Sequence, residues 1–202
     1  MFTGIVSDVG EVRAITRRAG DLHRISVACA YAHNSIALGA SIACSGICFT
    51  VTETLEEAGR TVFSVDAAAE TLRVTTAGDW KPGSKINLER PLKMGDELGG
   101  HLVSGHIDGI AMLEQCDDLT DSARMTFRAP SALMRFIAPK GSVTLDGVSL
   151  TVNEVGRDTF SVLIIPHTLQ VTTFGALRTG SRVNLEVDQM ARYAARLAEV
   201  RG

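Results

Sequence analysis

Residues 39–53 read GASIACSGICFTVTE, and residues 140–154 read KGSVTLDGVSLTVNE. At an offset of 101 they share Ser41/Ser142, Gly46/Gly147, Thr50/Thr151, Val51/Val152 and Glu53/Glu154, while Cys48 is exchanged for Ser149. A second block is closer still: TLRVTTAGDWKPGSKINLE (71–89) and TLQVTTFGALRTGSRVNLE (168–186) agree at 11 of 19 positions, now at an offset of 97. Insertions belong in surface loops. The drop of four therefore predicts strands flanking a turn at Glu56-Glu57-Ala58-Gly59 that is longer than the one at Gly156-Arg157-Asp158. At the front, MFTGIVSDVGEV aligns with LVSGHIDGIAML from Leu102, with Gly4/Gly105 the one identity. The chain writes one unit twice.

Within each copy the alternation is that of β structure. FTVTETL (49–55) with TVFSVDA (61–67), and LTVNEV (150–155) with TFSVLII (159–165), read as hairpins around charged, glycine-containing turns. Short strands at a period near 100 residues predict an all-β protein of two duplicated, Greek-key-like β-barrels. A short helix is expected at SALMRFI (131–137), with YAHNSIA (31–37) as its weaker counterpart, and Thr75-Thr76 and Thr172-Thr173 suit strands. After the repeat, DQMARYAARLAEVRG places Met190, Tyr193, Ala194, Leu197 and Val200 at helical spacing, with Asp188 as N-cap. The expected units are residues 1–97, 98–187 and 188–202: barrel, barrel, and a C-terminal α-helix that needs something to pack on.

Composition narrows the function classes. Of 202 residues, 45% are hydrophobic and 21% charged, values of a chain that buries a core. The net charge of −3 offers no basic field for a phosphate backbone, so nucleic acid is not an expected partner. No run approaches the ~18 apolar residues of a membrane span, and the start shows no leader pattern. The four cysteines, at 29, 44, 48 and 116, form no CxxC pair, which argues against an oxidised secreted scaffold and makes the cytoplasm the expected setting. Cys29 and Cys116 read as small buried apolar residues. GxGxxG, GxxxxGK[ST] and GxSxG are absent. Cys44 and Cys48 beside His101 and His106 raise the question of zinc. Residues four apart on an extended strand stand ~13 Å apart, however, so no metal site is expected unless Ser45-Gly46 turns sharply.

MFTGIV, SGICFTVTE, GGHLVSGHID, LDGVSLTVNE and VNLEVD followed by a helix together resemble the riboflavin synthases of the α-chain type. The resemblance spans essentially the whole chain. It implies a homotrimer of two-barrel subunits joined by their C-terminal helices. It also implies dismutation of two 6,7-dimethyl-8-ribityllumazine molecules, one giving four carbons to the other, with no cofactor and no metal. Two clefts from one duplication would hold the two rings face to face. The family's site lies between the N-barrel of one subunit and the C-barrel of its neighbour. Carried over, Cys48, His106 and Ser149 are the expected catalytic residues. Phe2, Gly4, Ser41, Thr50, Gly105, Lys140, Ser142, Thr151 and Asp188 are expected to bind substrate, Phe2 by closing the site. Open strands at Gly46 and Gly147 are expected to pair with the ring through their backbone. The alternative is a non-catalytic lumazine- or flavin-binding antenna protein on the same frame; a flavin-dependent reductase would need a nucleotide-binding companion.

Overall fold

The computed structural model describes residues 1–201, with side chains as far as Glu199; Gly202, and the side chain of Val200 in the apolar stripe, lie outside the described residues. The first barrel consists of β1 (Asp8–Arg17), β2 (His23–Cys29), β3 (Ser41–Cys44), β4 (Ile47–Glu57), β5 (Arg60–Ala67) and β6 (Lys85–Glu89). They close in the order β1-β2-β5-β4-β3-β6, with β6 pairing back on β1. The second consists of β7 (Gly109–Leu119), β8 (Ser122–Arg128), β9 (Ser142–Leu145), β10 (Val148–Val155), β11 (Thr159–Ile164) and β12 (Arg182–Val187), closed in the equivalent order. The helices are α1 (Ala69–Val74), α2 (Ser131–Met134), α3 (Pro166–Val171) and α4 (Gln189–Arg201). Two duplicated barrels and a C-terminal helix were expected, and that is the architecture found.

The alternation seen in the sequence decides what each barrel encloses. On β4, Ile47, Phe49 and Val51 point inward while Cys48 and Thr50 face out; on β10, Val148, Leu150 and Val152 point inward while Ser149 and Thr151 face out. The first lumen is filled by Val12, Ile25, Phe63, Leu88 and their neighbours, the second by Leu113, Phe127, Phe160 and Phe174. Each such side chain contributes roughly 1.5–3 kcal/mol by burial. Side chains of the core occupy the interior of both barrels.

Four local expectations are corrected. The stretch 39–53 is a hairpin, not one strand: Ser45 and Gly46 have φ of 43° and 80°, and Asp146 and Gly147 have 44° and 79°, the two-residue turns that suit right-twisted strands. The Asp-Gly pair was the available signal. The four-residue change of offset lies in longer strands, since β4 and β5 join through a tight Ala58-Gly59 turn and run further than β10 and β11. The expected helix at 131–137 is regular only over Ser131–Met134, and its counterpart is a 3-10 turn at His33–Ser35. Thr75 and Thr172 are helix caps, not strand residues: each Oγ1 accepts from the amide two residues on and donates to the carbonyl four residues back. A threonine hydroxyl that bonds nearby backbone groups in this way competes with regular ladders and favours a cap.

The two hairpin turns meet back to back. A Cβ on Gly46 would stand 2.8 Å from the Gly147 nitrogen, and one on Gly147 equally close to that of Gly46. These glycines serve barrel contact, so the expected pairing of their strands with a ligand ring is corrected. Around them Asn87 Nδ2 donates to the Asp146 carbonyl and Asn184 Nδ2 to the Ser45 carbonyl, both within 2.9 Å. Asn87 Oδ1 accepts from Thr173 N and Asn184 Oδ1 from Thr76 N. Four reciprocal bonds across buried strands make a pseudo-two-fold axis. The buried Asp146 carboxyl accepts the Asn184 amide, and burial pushes it up to about 7.

Candidate active site

Each barrel's outer wall is covered by an arm from the segment that leads into the other barrel. The N-terminal arm enters β1 but lies on β10, where Ser149 N donates to the Gly4 carbonyl at 2.8 Å. The segment before β7 lies on β4, where Cys48 N donates to the Gly105 carbonyl at the same distance. Val6 packs into the second barrel's core and Ile107 into the first. The arms pair with each other at Phe2 and Val103. Each is held by a buried glutamate of its own barrel. Glu89 accepts from Thr3 N, Thr3 Oγ1 and Gly4 N; Glu186 accepts from Ser104 N, Ser104 Oγ and Gly105 N. Desolvation raises both carboxyls above the usual range, while the converging N–H groups oppose it.

This arrangement places the expected residues. Gly4 and Gly105 have φ of 76° and 79°, and a Cβ on either would stand 2.5 or 2.6 Å from the Cβ of Ser149 or Cys48. They are where an arm touches a wall, and their carbonyls support the wall's backbone beside the expected site. Phe2 is wholly buried with Ala43 and Val103 against Cys48. It lies directly beside the Cys48 wall. The first wall carries Cys48, then Ser41 and Thr50 as a cross-strand pair, with His106 exposed on the overlying arm. The second carries Ser149, then Ser142 and Thr151 as the equivalent pair.

The walls differ in chemistry. Cys48 stands opposite Ala43, whereas Ser149 stands opposite Thr144. Ser149 Oγ lies 2.7 Å from His101 Nδ1, and His101 Nε2 lies 3.2 Å from Thr144 Oγ1. Burial lowers the His101 pKa from its usual value, partly offset by the nearby Asp188 carboxylate, so its neutral form prevails at pH 7. A neutral ring carries one donor and one acceptor. When Ser149 donates to Nδ1, the Nε2 proton faces Thr144. Asp188 also caps α4, accepting from Met190 N at 2.8 Å. Lys140 is exposed at φ 66°, in the position that Gly39 fills in the first copy at φ 80°. A lysine held in the left-handed region is strained by roughly 1–2 kcal/mol.

His101 is the residue that sequence reasoning passed over. It was weighed only as a zinc ligand, and the signal it gave was its position two residues before the second arm's contact. Among the described residues, no cluster of three or more His, Cys, Asp or Glu side chains is placed to hold a metal ion. Cys44 faces the lumen and Cys48 the outer wall. No described helix is long and apolar enough to cross a membrane.

A family model described as the lumazine binding domain matches residues 3–91 and again 104–188, one match per barrel. Over 202 residues the chain is 54% identical to the riboflavin synthase of Brucella abortus, covering 98% of each. The chain belongs to the riboflavin synthase family. It is also 36% identical to the riboflavin synthase of Bacillus subtilis, across 97% of this chain and 89% of that one. Among solved structures, LumP complexed with riboflavin superposes with a TM-score of 0.82 at 25% identity, covering 93% of this chain and 99% of LumP. Family membership accounts for the duplicated walls: each family match ends just beyond the glutamate, Glu89 or Glu186, that holds its arm.

Proposed function

We propose that this chain acts as a riboflavin synthase, converting two 6,7-dimethyl-8-ribityllumazine molecules to riboflavin and 5-amino-6-ribitylamino-pyrimidinedione without cofactor or metal. The observation that carries the reading is 54% identity over 98% of a riboflavin synthase, together with two related but chemically unequal walls. Incubating metal-free protein with the lumazine and following riboflavin tests it. Binding without riboflavin formation would select the antenna reading instead.

The reaction needs a proton removed from the C7 methyl of one lumazine and a nucleophile added at C7 of the other. Proximity is the largest contribution, because orienting two reactants removes ~7–11 kcal/mol of barrier. In the proposed site Cys48, His106, Ser41 and Thr50 hold one ring. Ser149, His101, Ser142, Thr151, Lys140 and Asp188 hold the other. The Ser149–His101–Thr144 chain supplies a hydrogen-bonded proton acceptor on one side, and Cys48 contacts the C7 region on the other with His106 as the acid or base there. Alanine at Ser149 is expected to lower turnover about 100- to 10,000-fold with ligand binding retained. The reciprocal swap Cys48→Ser/Ser149→Cys should fail to restore it. Near-parental rates in the swap would remove this division of labour.

The sign of the pH effect follows from His101. With its pKa below the ordinary 6.5, the ring can accept a proton throughout the neutral range and loses that ability as pH falls through the lowered value. Turnover should therefore drop on the acid side, and His101→Gln should flatten that limb of the kcat profile. An unchanged profile in the variant would show that another group sets it.

Two related walls in one chain, each read as half a site, fit a homotrimer in which the first barrel of one subunit faces the second barrel of its neighbour, and the four free cysteines fit the reducing cytoplasm. Residues 1–97, 98–187 and 188–202 are the corresponding units. The helix α4 supports the same assembly. It is anchored to its own chain by Arg192, which pairs with both oxygens of Asp108, while Met190, Tyr193 and Leu197 remain exposed. Leu197→Glu should dissociate the oligomer, with riboflavin formation falling in step with the trimer fraction. Sedimentation showing an intact, active trimer would refute that role.

A further inference from the structure

Both ring nitrogens of His101 meet hydroxyls, and the two hydroxyls are not equivalent. The chain around the ring is fixed. The His101 amide donates to the Thr3 carbonyl at 3.1 Å, and Gly100 before it passes so close that a Cβ there would stand 3.0 Å from Ser149 Oγ. Turning the ring over would set carbons against both hydroxyls, so Nδ1 belongs on Ser149 and Nε2 on Thr144.

Where the protons lie follows from counting them. A neutral ring carries one N–H, and each hydroxyl carries one O–H. Ser149 is half-buried on the outer face of β10, so its proton can turn to the cleft. Thr144 is 0% exposed, and among the described residues His101 is the one hydrogen-bond partner of its hydroxyl. If Nε2 carried the ring proton and gave it to Thr144, the threonine's own proton would be shut in the interior without an acceptor. That arrangement is disfavoured roughly 5- to 150-fold. If Nδ1 carries the ring proton, Thr144 donates to Nε2 and Nδ1 donates to Ser149. The one proton left over, that of Ser149, then reaches the cleft. The first wall has no such device, because Ala43 stands opposite Cys48 where Thr144 stands opposite Ser149.

We infer that Thr144 is a positioning residue that holds neutral His101 in its Nδ1–H tautomer, so that the resting second wall offers a hydroxyl proton to the ring it binds. The use of this bias in turnover rests on the proposed riboflavin synthase reaction. There the proton-accepting form, with Ser149 donating to Nδ1, is the minor tautomer, and Thr144 sets how minor it is. Passing from one form to the other takes one proton from Nδ1 and places one on Nε2, with none given to the ligand.

The test uses the full-length protein with ¹⁵N in its histidine rings at pH 8, where burial keeps His101 neutral. His101→Gln identifies its signals among those of the five histidines. The parental spectrum is expected to show the proton on Nδ1. In Thr144→Val the Nε2–H form should gain about fivefold or more on the Nδ1–H form, whereas Thr144→Ser keeps the parental pattern. Turnover should follow the same order, with kcat about fivefold higher in Thr144→Val at unchanged KM and parental in Thr144→Ser. A threonine that only packs predicts the reverse, with valine the faithful substitute and serine the poor one. An Nε2–H ring in the parent, the parental tautomer ratio in folded Thr144→Val, or its loss in Thr144→Ser would each overturn the assignment. The spectra need no turnover, so a parent that forms no riboflavin would remove the proposed reaction while the tautomer is still decided by its own signals.

Discussion

Gly4→Ala is expected to destabilise the protein by about 3–4 kcal/mol and to abolish riboflavin formation. The new methyl would meet Ser149 Cβ, N and Cα at 2.5, 2.7 and 2.9 Å, and none of these can swing aside as a flexible side chain could. The residue also sits at φ 76°, which costs an alanine roughly 1 kcal/mol more than a glycine. Relief requires the arm to lift. That breaks the Ser149 N to Gly4 carbonyl bond and strains the amides gathered on Glu89. The serine of the second wall then loses its register against His101. Thermal melting and a riboflavin assay decide the matter: a variant with parental stability and rate would show that the arm's close approach is dispensable. Alanine at Gly20, where a Cβ meets nothing, serves as the control for backbone effects alone.

Asp146→Asn is expected to stabilise the protein above neutral pH by about 3 kcal/mol, with no gain in acid. The folded carboxyl titrates near 7, against 3.8 for an ordinary aspartate, because burial penalises its charge. Below about pH 4 both folded and unfolded chains hold the proton, and Asp146 contributes no pH dependence. Between about 4 and 7 only the folded chain holds it, so stability falls as pH rises, and the full penalty remains above 7. Asparagine is neutral throughout, keeps an acceptor for the Asn184 amide, and suits the left-handed first position of an Asn-Gly turn. For a chain of this size the melting temperature should rise by about 5–10 °C at pH 8. Glu89 and Glu186 titrate in the same sense in both proteins and cancel in the difference. Parallel stability curves from pH 4 to 8 would show that Asp146 is solvated.

The barrels were legible because the strand period of two and the copy period near 100 are both local properties of the sequence. What escaped reading depends on contacts between distant segments. Nothing in MFTGIV says that Gly4 will lie against residue 149. Nothing in GGHLVSGHID says that Gly105 will lie against residue 48, so the structural duty of those glycines was not legible. His101 has no counterpart in the first copy, and a comparison of copies could not point to it. Asn87 and Asn184 could have been found. A polar residue kept in both copies inside an otherwise apolar strand must be paired, and here each is paired across the axis. The Thr75 and Thr172 caps were misread because a β-branched residue suits a strand and a cap alike, and only the following backbone separates the two.

The exchanged arms also set an order of events during synthesis. The first barrel's last strand ends at Glu89, so its lumen can fill as soon as that residue has left the ribosome, in line with the tendency of domains to fold N-terminal first. The outer face of β4 must wait longer, because the carbonyl that receives the Cys48 amide belongs to Gly105. The N-terminal arm, made first of all, can reach Glu89 and Ala43 of its own barrel early, but the amide that its Gly4 carbonyl accepts belongs to Ser149 on β10, some 145 residues later. A nascent chain thus passes through a stage with one closed barrel, a leading segment that lacks its outer partner, and an uncovered cysteine. It becomes competent only when the second barrel closes.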